Sequence, residues 1–225
     1  PMQIVGKAHA RAFEFRKATK DHYSQRLTLP AHEAEPAVVS AQLKLPFEPV
    51  DFHTTTIADL VSECEIDHAI GPVPHTVGGS TAGYQRWNRF MHRGLSRYAR
   101  VRNDALLDGV SRMSAYLHHG MVSPQRVARE AAESNSDGAQ KYLDELLIWR
   151  ELAHGFCFYR PDHGRLGALP QWAIETLAEH QCDERPALHS WETMARAQTG
   201  DALWDAAQQS LLMHVRKAEK ALIYD

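Results

Sequence analysis

Two short groups of residues in this chain have types and spacings that suit chemistry. Ser111 and Ser114 lie three apart, with Arg112 between them. In a turn that opens a helix, hydroxyls and free backbone N–H groups converge on an anion such as a phosphate. Arg112 adds charge there if it points inward. The same residues also read as a simple N-cap followed by packing. Glu145 and Trp149 are spaced i and i+4, which puts both on one face of a helix. A carboxyl group beside a flat aromatic surface offers stacking area and a hydrogen bond to the edge of an extruded base. A surface Glu and a core Trp is the plainer account. Arg150 and Glu151 fit a helix-surface ion pair.

Arg86, Arg89, Arg93, Arg97, Arg100 and Arg102 cluster in one stretch. Such a run either binds phosphates without reading sequence or forms a solvated face. The adjacent His118 and His119 point in different directions on a helix, so no metal is expected there. The chain holds no HExxH, GxSxG, Walker A or GxGxxG pattern.

The elements that must carry these groups are helical. Trp87, Phe90, Met91, Leu95 and Tyr98 recur on one face of an amphipathic helix. The pattern predicts further helices over 124–132, 139–159, 171–180, 189–197 and 201–214. Pro124 behind Ser123 fits an N-cap with proline at the first helical position. The opening PMQIV is strand-like and leads into a charged helical segment. A Pro-rich stretch without periodicity follows and reads as a linker, and paired Gly in IGPVPHTVGGSTAG marks a loop. Period-two runs are nearly absent after residue 80, so the bulk of the chain is expected to be all-α.

Three blocks together point to a family. The stretch from Tyr98 to Pro124, YARVRNDALLDGVSRMSAYLHHGMVSP, resembles the photolyase/cryptochrome pattern Y-x3-R-N followed by S-x-x-S-x-Y-L-x-x-G-x-[IV]-S. The stretch from Tyr142 to Arg160, YLDELLIWRELAHGFCFYR, is similar to that family's E-L-x-x-W-R-E helix in its class II form. The runs LPQWAIETLAEHQCDERP and TGDALWDAAQQSLLMH resemble two further class II segments. The resemblance spans roughly residues 80–214.

This resemblance implies a helical FAD-binding domain over 57–225, a linker over 31–56 and a remnant of an N-terminal α/β domain over 1–30. Its cofactor is FAD, with Tyr98, Ser111, Arg112, Met113, Ser114, Tyr142 and Glu145 as cofactor-binding residues. Its catalytic set is Glu145, Trp149 and Trp204: Glu145 hydrogen-bonds the cyclobutane dimer, Trp149 packs on it, and Trp204 passes an electron toward the flavin. Trp204 serves equally as a structural Trp, and Gln208 lies one turn on. Arg102, Trp149 and Arg150 are the implied DNA contacts. The implied function is light-driven repair of cyclobutane pyrimidine dimers in UV-damaged DNA, by electron transfer from excited reduced FAD. The alternative is a cryptochrome-like FAD blue-light receptor without repair activity, although keeping both Glu145 and Trp149 favours repair. After His214 the chain departs from the family pattern, so the C-terminal part of the domain is expected to be incomplete, and an antenna chromophore is not supported.

The bulk numbers permit this and exclude little. The chain has 225 residues, 44% hydrophobic and 24% charged, with a formal net charge of -3. Any DNA contact must then come from a local basic patch. The three cysteines, Cys64, Cys157 and Cys182, form no CxxC pair and suit a reducing compartment. No apolar run is long enough to span a bilayer, and the expected location is cytoplasmic, with nucleoid association.

Overall fold

A computed structural model describes residues 2–29, 44–69, 71–73, 76–104 and 106–215. Half of the expected linker and the final segment from 216 onward lie outside the described residues. Every regular element among the described residues is a helix. None of them is long and apolar enough to cross a membrane. The helical class expected from the sequence is therefore observed. Met2–Val5 (α1) is one helical turn, not the strand that PMQIV suggested. A lone apolar tetrapeptide has no ladder to join here, because no strand occurs among the described residues.

The chain forms two compact units. The first takes Pro1–His32 and Gly78–Asp183. It contains α2 (Ala12–Thr28), α4 (Ser80–Arg93), α5 (Tyr98–Val101), α6 (Ser114–His118), α7 (Pro124–Glu133), α8 (Asp137–Leu143), α9 (Arg150–Tyr159) and α10 (Gln171–Glu179). The second takes Glu33–Val77 and Glu184–Asp225, with α3 (Ile57–Ser62), α11 (Trp191–Ala195) and α12 (Ala202–Val215).

The apolar face read from Trp87 to Tyr98 is the heart of the first unit. Trp87, Phe90, Leu95 and Tyr98 are buried, and Met91 packs at the edge. The helix that carries them is not continuous. It stops at Gly94, tightens into a 3-10 turn at Leu95–Arg97 and restarts as α5. The interruption keeps Leu95 and Tyr98 turned toward the core. Helix α7 starts as the sequence implied: Ser123 Oγ accepts from the Arg126 N–H, with proline following the cap. Its Val127, Ala128 and Ala131 complete the core from the other side. The buried Trp87 indole needs a partner and finds one, donating to Glu130 Oε2 at 2.6 Å.

Tyr142 from α8 closes the cluster. Its ring lies 5.3 Å from Trp87, 5.5 Å from Phe90 and 5.4 Å from Tyr98, the last edge-on at 77°. Tilted and edge-on pairs of this kind add roughly 0.5–1.5 kcal/mol each beyond the area they bury. They also fix the two tyrosines relative to each other, which matters for the cavity they line.

Candidate functional site

The helix that carries Glu145 and Trp149 runs from Asp137 to Tyr159 without a break, but not as one α-helix. Ser136 caps its start by accepting from the Ala139 N–H at 3.2 Å. Residues Asp144–Trp149 then form a π turn, in which the Arg150 N–H donates to the Glu145 carbonyl five residues back. An ordinary α-turn reaches four residues back. Such π turns are rare, short and frequent at functional sites. Past the turn, Arg150 shares the cavity side with Glu145, where i and i+4 spacing had suggested Trp149.

A cavity of about 760 Å³ opens beside this helix, within the usual range for small-molecule and cofactor sites of roughly 300–1,000 Å³. Tyr142, Glu145, Leu146, Arg150 and His154 line it from the long helix. Tyr98 lines it from α5, and Ser111, Met113, Ser114, Ala115, Leu117 and His118 line it from α6 and the turn before. Three segments separated in sequence therefore meet at one surface. It combines four hydroxyl groups and two imidazoles with an apolar wall of Met113, Ala115, Leu117 and Leu146.

Six residues singled out in the sequence as cofactor-binding share that lining: Tyr98, Ser111, Met113, Ser114, Tyr142 and Glu145. Arg112 does not. Its φ of 55° turns the backbone through the left-handed region, and its guanidinium pairs with Asp108 at 2.9 Å, half exposed. Trp149 lies off the lining and is 49% exposed. Trp204 belongs to the second unit, on α12, 45% exposed. Gln208 on the same helix donates its amide to the Ala195 carbonyl at 3.0 Å. The sequence reading missed Ala115, Leu117, Leu146 and His154. The steps of four from Tyr142 through Leu146 and Arg150 to His154 were the available signal.

Glu145 is held by two cations. Its Oε1 lies 3.1 Å from Arg102 Nη1 and 2.8 Å from Lys141 Nζ. Arg102 comes from the end of α5, and Lys141 sits one turn before Glu145. The hydrogen bond to Glu145 is the main reason the Lys141 ammonium holds its proton more tightly than a free lysine. Lys141 also reaches Asp144 Oδ2 at 3.4 Å. Burial pulls the Asp144 carboxyl up, but Arg16 and Lys141 outweigh it, and its pKa ends below the ordinary value. Arg102 also hydrogen-bonds Tyr98.

The cavity tyrosines stay protonated. Burial pushes Tyr142 from 10.0 up to about 12, with a side-chain hydrogen bond to Ser111 working the other way. Burial, then the nearby Glu145 charge, raise Tyr98 as well, while Arg102 and Lys141 oppose them. A pKa raised on folding means the folded state holds the proton more tightly than the unfolded chain does. The Tyr142 contribution is then complete below pH 10.0 and is lost as pH rises through about 12. Its size is about 2–3 kcal/mol. We predict that the urea midpoint falls steeply across this interval and that Tyr142→Phe flattens the slope. Equal slopes in the two proteins would show that Tyr142 is not the group being titrated.

No protein-family model matches this chain. Several individual proteins do. The deoxyribodipyrimidine photo-lyase of Methanothermobacter thermautotrophicus is 34% identical over 136 residues, 60% of this chain and 30% of that protein. The one from Potorous tridactylus is 32% identical over 164 residues, 72% of this chain and 30% of that protein. The one from Oryza sativa subsp. japonica is 35% identical over 129 residues, 56% of this chain and 26% of that protein. The chain thus spans under a third of the length of these relatives.

Proposed function

This chain belongs to the photolyase family, and we propose that it serves light-driven repair of cyclobutane pyrimidine dimers in DNA, with FAD held in the cavity. The observation that carries this reading is the lining itself. Tyr98, the Ser111–Ser114 turn and the Tyr142–Glu145 helix meet around one space of about 760 Å³. The relatives are deoxyribodipyrimidine photo-lyases by name, and the class II type is our reading of the E-L-x-x-W-R-E helix with its FCFY end.

The donor set fits a flavin dinucleotide. Ser111 and Ser114 offer hydroxyls to its phosphates and ribose, and Met113, Leu117 and Leu146 offer an apolar wall for the ring system. When bound, the flavin supplies the excited-state electron that splits the dimer, and the protein supplies binding, orientation and electrostatics. Tyr98 keeps its hydroxyl hydrogen as a donor over the working pH range, because its pKa is raised. Glu145 presents a carboxyl oxygen to the edge of the lesion while Arg102 and Lys141 fix its direction. Trp149, half exposed just beyond the lining, offers a flat face for the extruded bases. We assign contact with the DNA backbone, which fixes register without reading sequence, to Arg102 and Arg150. We assign the electron route from the surface to Trp204.

The test is the visible spectrum of the dialysed protein after incubation with FAD, followed by dimer splitting under blue light. Stoichiometric flavin with light-dependent splitting is expected. A protein that retains no flavin under excess FAD would remove this reading. As a finer check, Ser114→Leu, which replaces a hydroxyl in the lining with bulk, should weaken FAD retention at least tenfold, a loss of about 1.4 kcal/mol. Unchanged retention in that variant would place the phosphates elsewhere.

A further inference from the structure

Helix α2 contributes nothing to the cavity lining, yet two of its side chains end on the π turn that carries Glu145. Tyr23 Oη donates to the Leu147 carbonyl at 2.9 Å. Arg16 donates from both Nε and Nη2 to Asp144 Oδ1, at 3.1 and 2.5 Å. These contacts cross more than a hundred residues of sequence, so nothing local to either helix requires them. Tyr23 is itself oriented from within α2. Its hydroxyl lies against the Thr19 side chain. Thr19 is 1% exposed and also donates to the Phe15 carbonyl at 2.8 Å.

The placement of these contacts is informative. Residues in π geometry make up well under 1% of known structure, so the α register is the standing competitor for residues 144–149. A slip to that register would rotate every later side chain by about 100° relative to Glu145. Asp144 and Leu147 flank Glu145 inside the turn, and each is held by α2. A fixed carbonyl at 147 and a fixed side chain at 144 oppose the slip at two points.

We propose that Tyr23, seconded by Arg16, is a positioning residue for the Glu145 site, holding the π register that keeps Arg150 and His154 beside its carboxylate on the cavity face. The inference rests on the role assigned to Glu145 above, and the experiment separates the two. Wild type, Tyr23→Phe and Arg16→Met are compared, each with FAD added and with its melting temperature recorded. The first readout is amide hydrogen exchange at Arg150, whose N–H closes the π turn, in protein without DNA. The second is dimers split per absorbed photon, alongside the dissociation constant for a dimer-containing oligonucleotide.

Tyr23→Phe removes one hydrogen bond and should speed Arg150 exchange about fivefold. Splitting per photon should fall severalfold, while flavin content and DNA affinity change less than twofold. Arg16→Met should act in the same direction but more weakly, because its ion pair is half exposed. Unchanged exchange at Arg150 in both variants overturns the brace. Faster exchange with wild-type splitting overturns the positioning role and leaves the repair reading standing. Absence of splitting in wild type, with flavin bound, overturns the repair reading and this inference with it.

Discussion

Replacing Glu145 with alanine leaves flavin bound and lowers dimer splitting per absorbed photon by about ten- to a hundredfold. The range follows from losing one hydrogen bond to a charged group, worth roughly 1.5–3 kcal/mol, at 1.4 kcal/mol per factor of ten. Two features of the site make the upper half of that range the better expectation. Glu145 is the only carboxylate on the cavity lining among the described residues. It also pairs with both Arg102 and Lys141. Without it, Lys141 keeps only Asp144 and Arg102 only Tyr98 as the partners described above, and the two positive charges are left facing each other at the proposed lesion site. Glu145→Gln keeps an acceptor oxygen but removes the charge, so it should fall between wild type and alanine. The measurements are the flavin absorbance after dialysis and the yield of restored thymines under calibrated light. Splitting by Glu145→Ala at the wild-type rate would end the assignment of Glu145 to the lesion.

How the sequence relates to this site is clearest along two helices. The apolar face from Trp87 to Tyr98 was legible because burial repeats at helical spacing and each member is large. The break at Gly94 was not, because the 3-10 turn at Leu95–Arg97 preserves the side on which Leu95 and Tyr98 fall. Periodicity reports the face and is blind to a tightened turn that keeps it. The π turn was hidden for the opposite reason. Residues 142–154 read as one good amphipathic helix whether or not a residue is inserted, and the insertion changes which of Trp149 and Arg150 follows Glu145. The contacts proposed to hold it are tertiary, since Tyr23 and Arg16 reach it from more than a hundred residues away. Of the lining residues, Ser111, Ser114 and Glu145 stood out by type and spacing, whereas Met113, Tyr142 and the cofactor role of Tyr98 were reached by resemblance. Hydroxyls three apart are common in helix starts, and only the fold brings them to a tyrosine pair. Arg112 shows the limit of that route. The resemblance implied it, but its backbone is left-handed and its guanidinium pairs with Asp108, off the lining.

The last expected result concerns the frame that holds the tyrosine pair. Gly138→Ala should destabilise the protein by about 3 kcal/mol or more and weaken flavin retention with it. A Cβ built at Gly138 would stand 1.9 Å from the Leu95 carbonyl oxygen and 2.7 Å from the Ser96 carbonyl oxygen. Both obstacles are backbone, so no rotamer change can relieve them. Overpacking against side chains typically costs 1–3 kcal/mol, and rigid backbone puts this site at or above the top of that range. The chain must separate α8 from the Leu95–Arg97 turn, and the same movement pulls Tyr142 away from Tyr98, now 5.4 Å apart. Gly164→Ala and Gly167→Ala meet nothing within 4 Å and serve as controls, with expected changes inside about 0.5 kcal/mol. Urea denaturation of the three variants, each with and without FAD, gives the comparison. If Gly138→Ala unfolds at the same urea concentration as the controls, α8 does not approach the 95–97 turn this closely, and the geometry of the tyrosine pair must be redrawn. If it unfolds early and FAD restores little of the loss, the cavity depends on that single close contact for its shape.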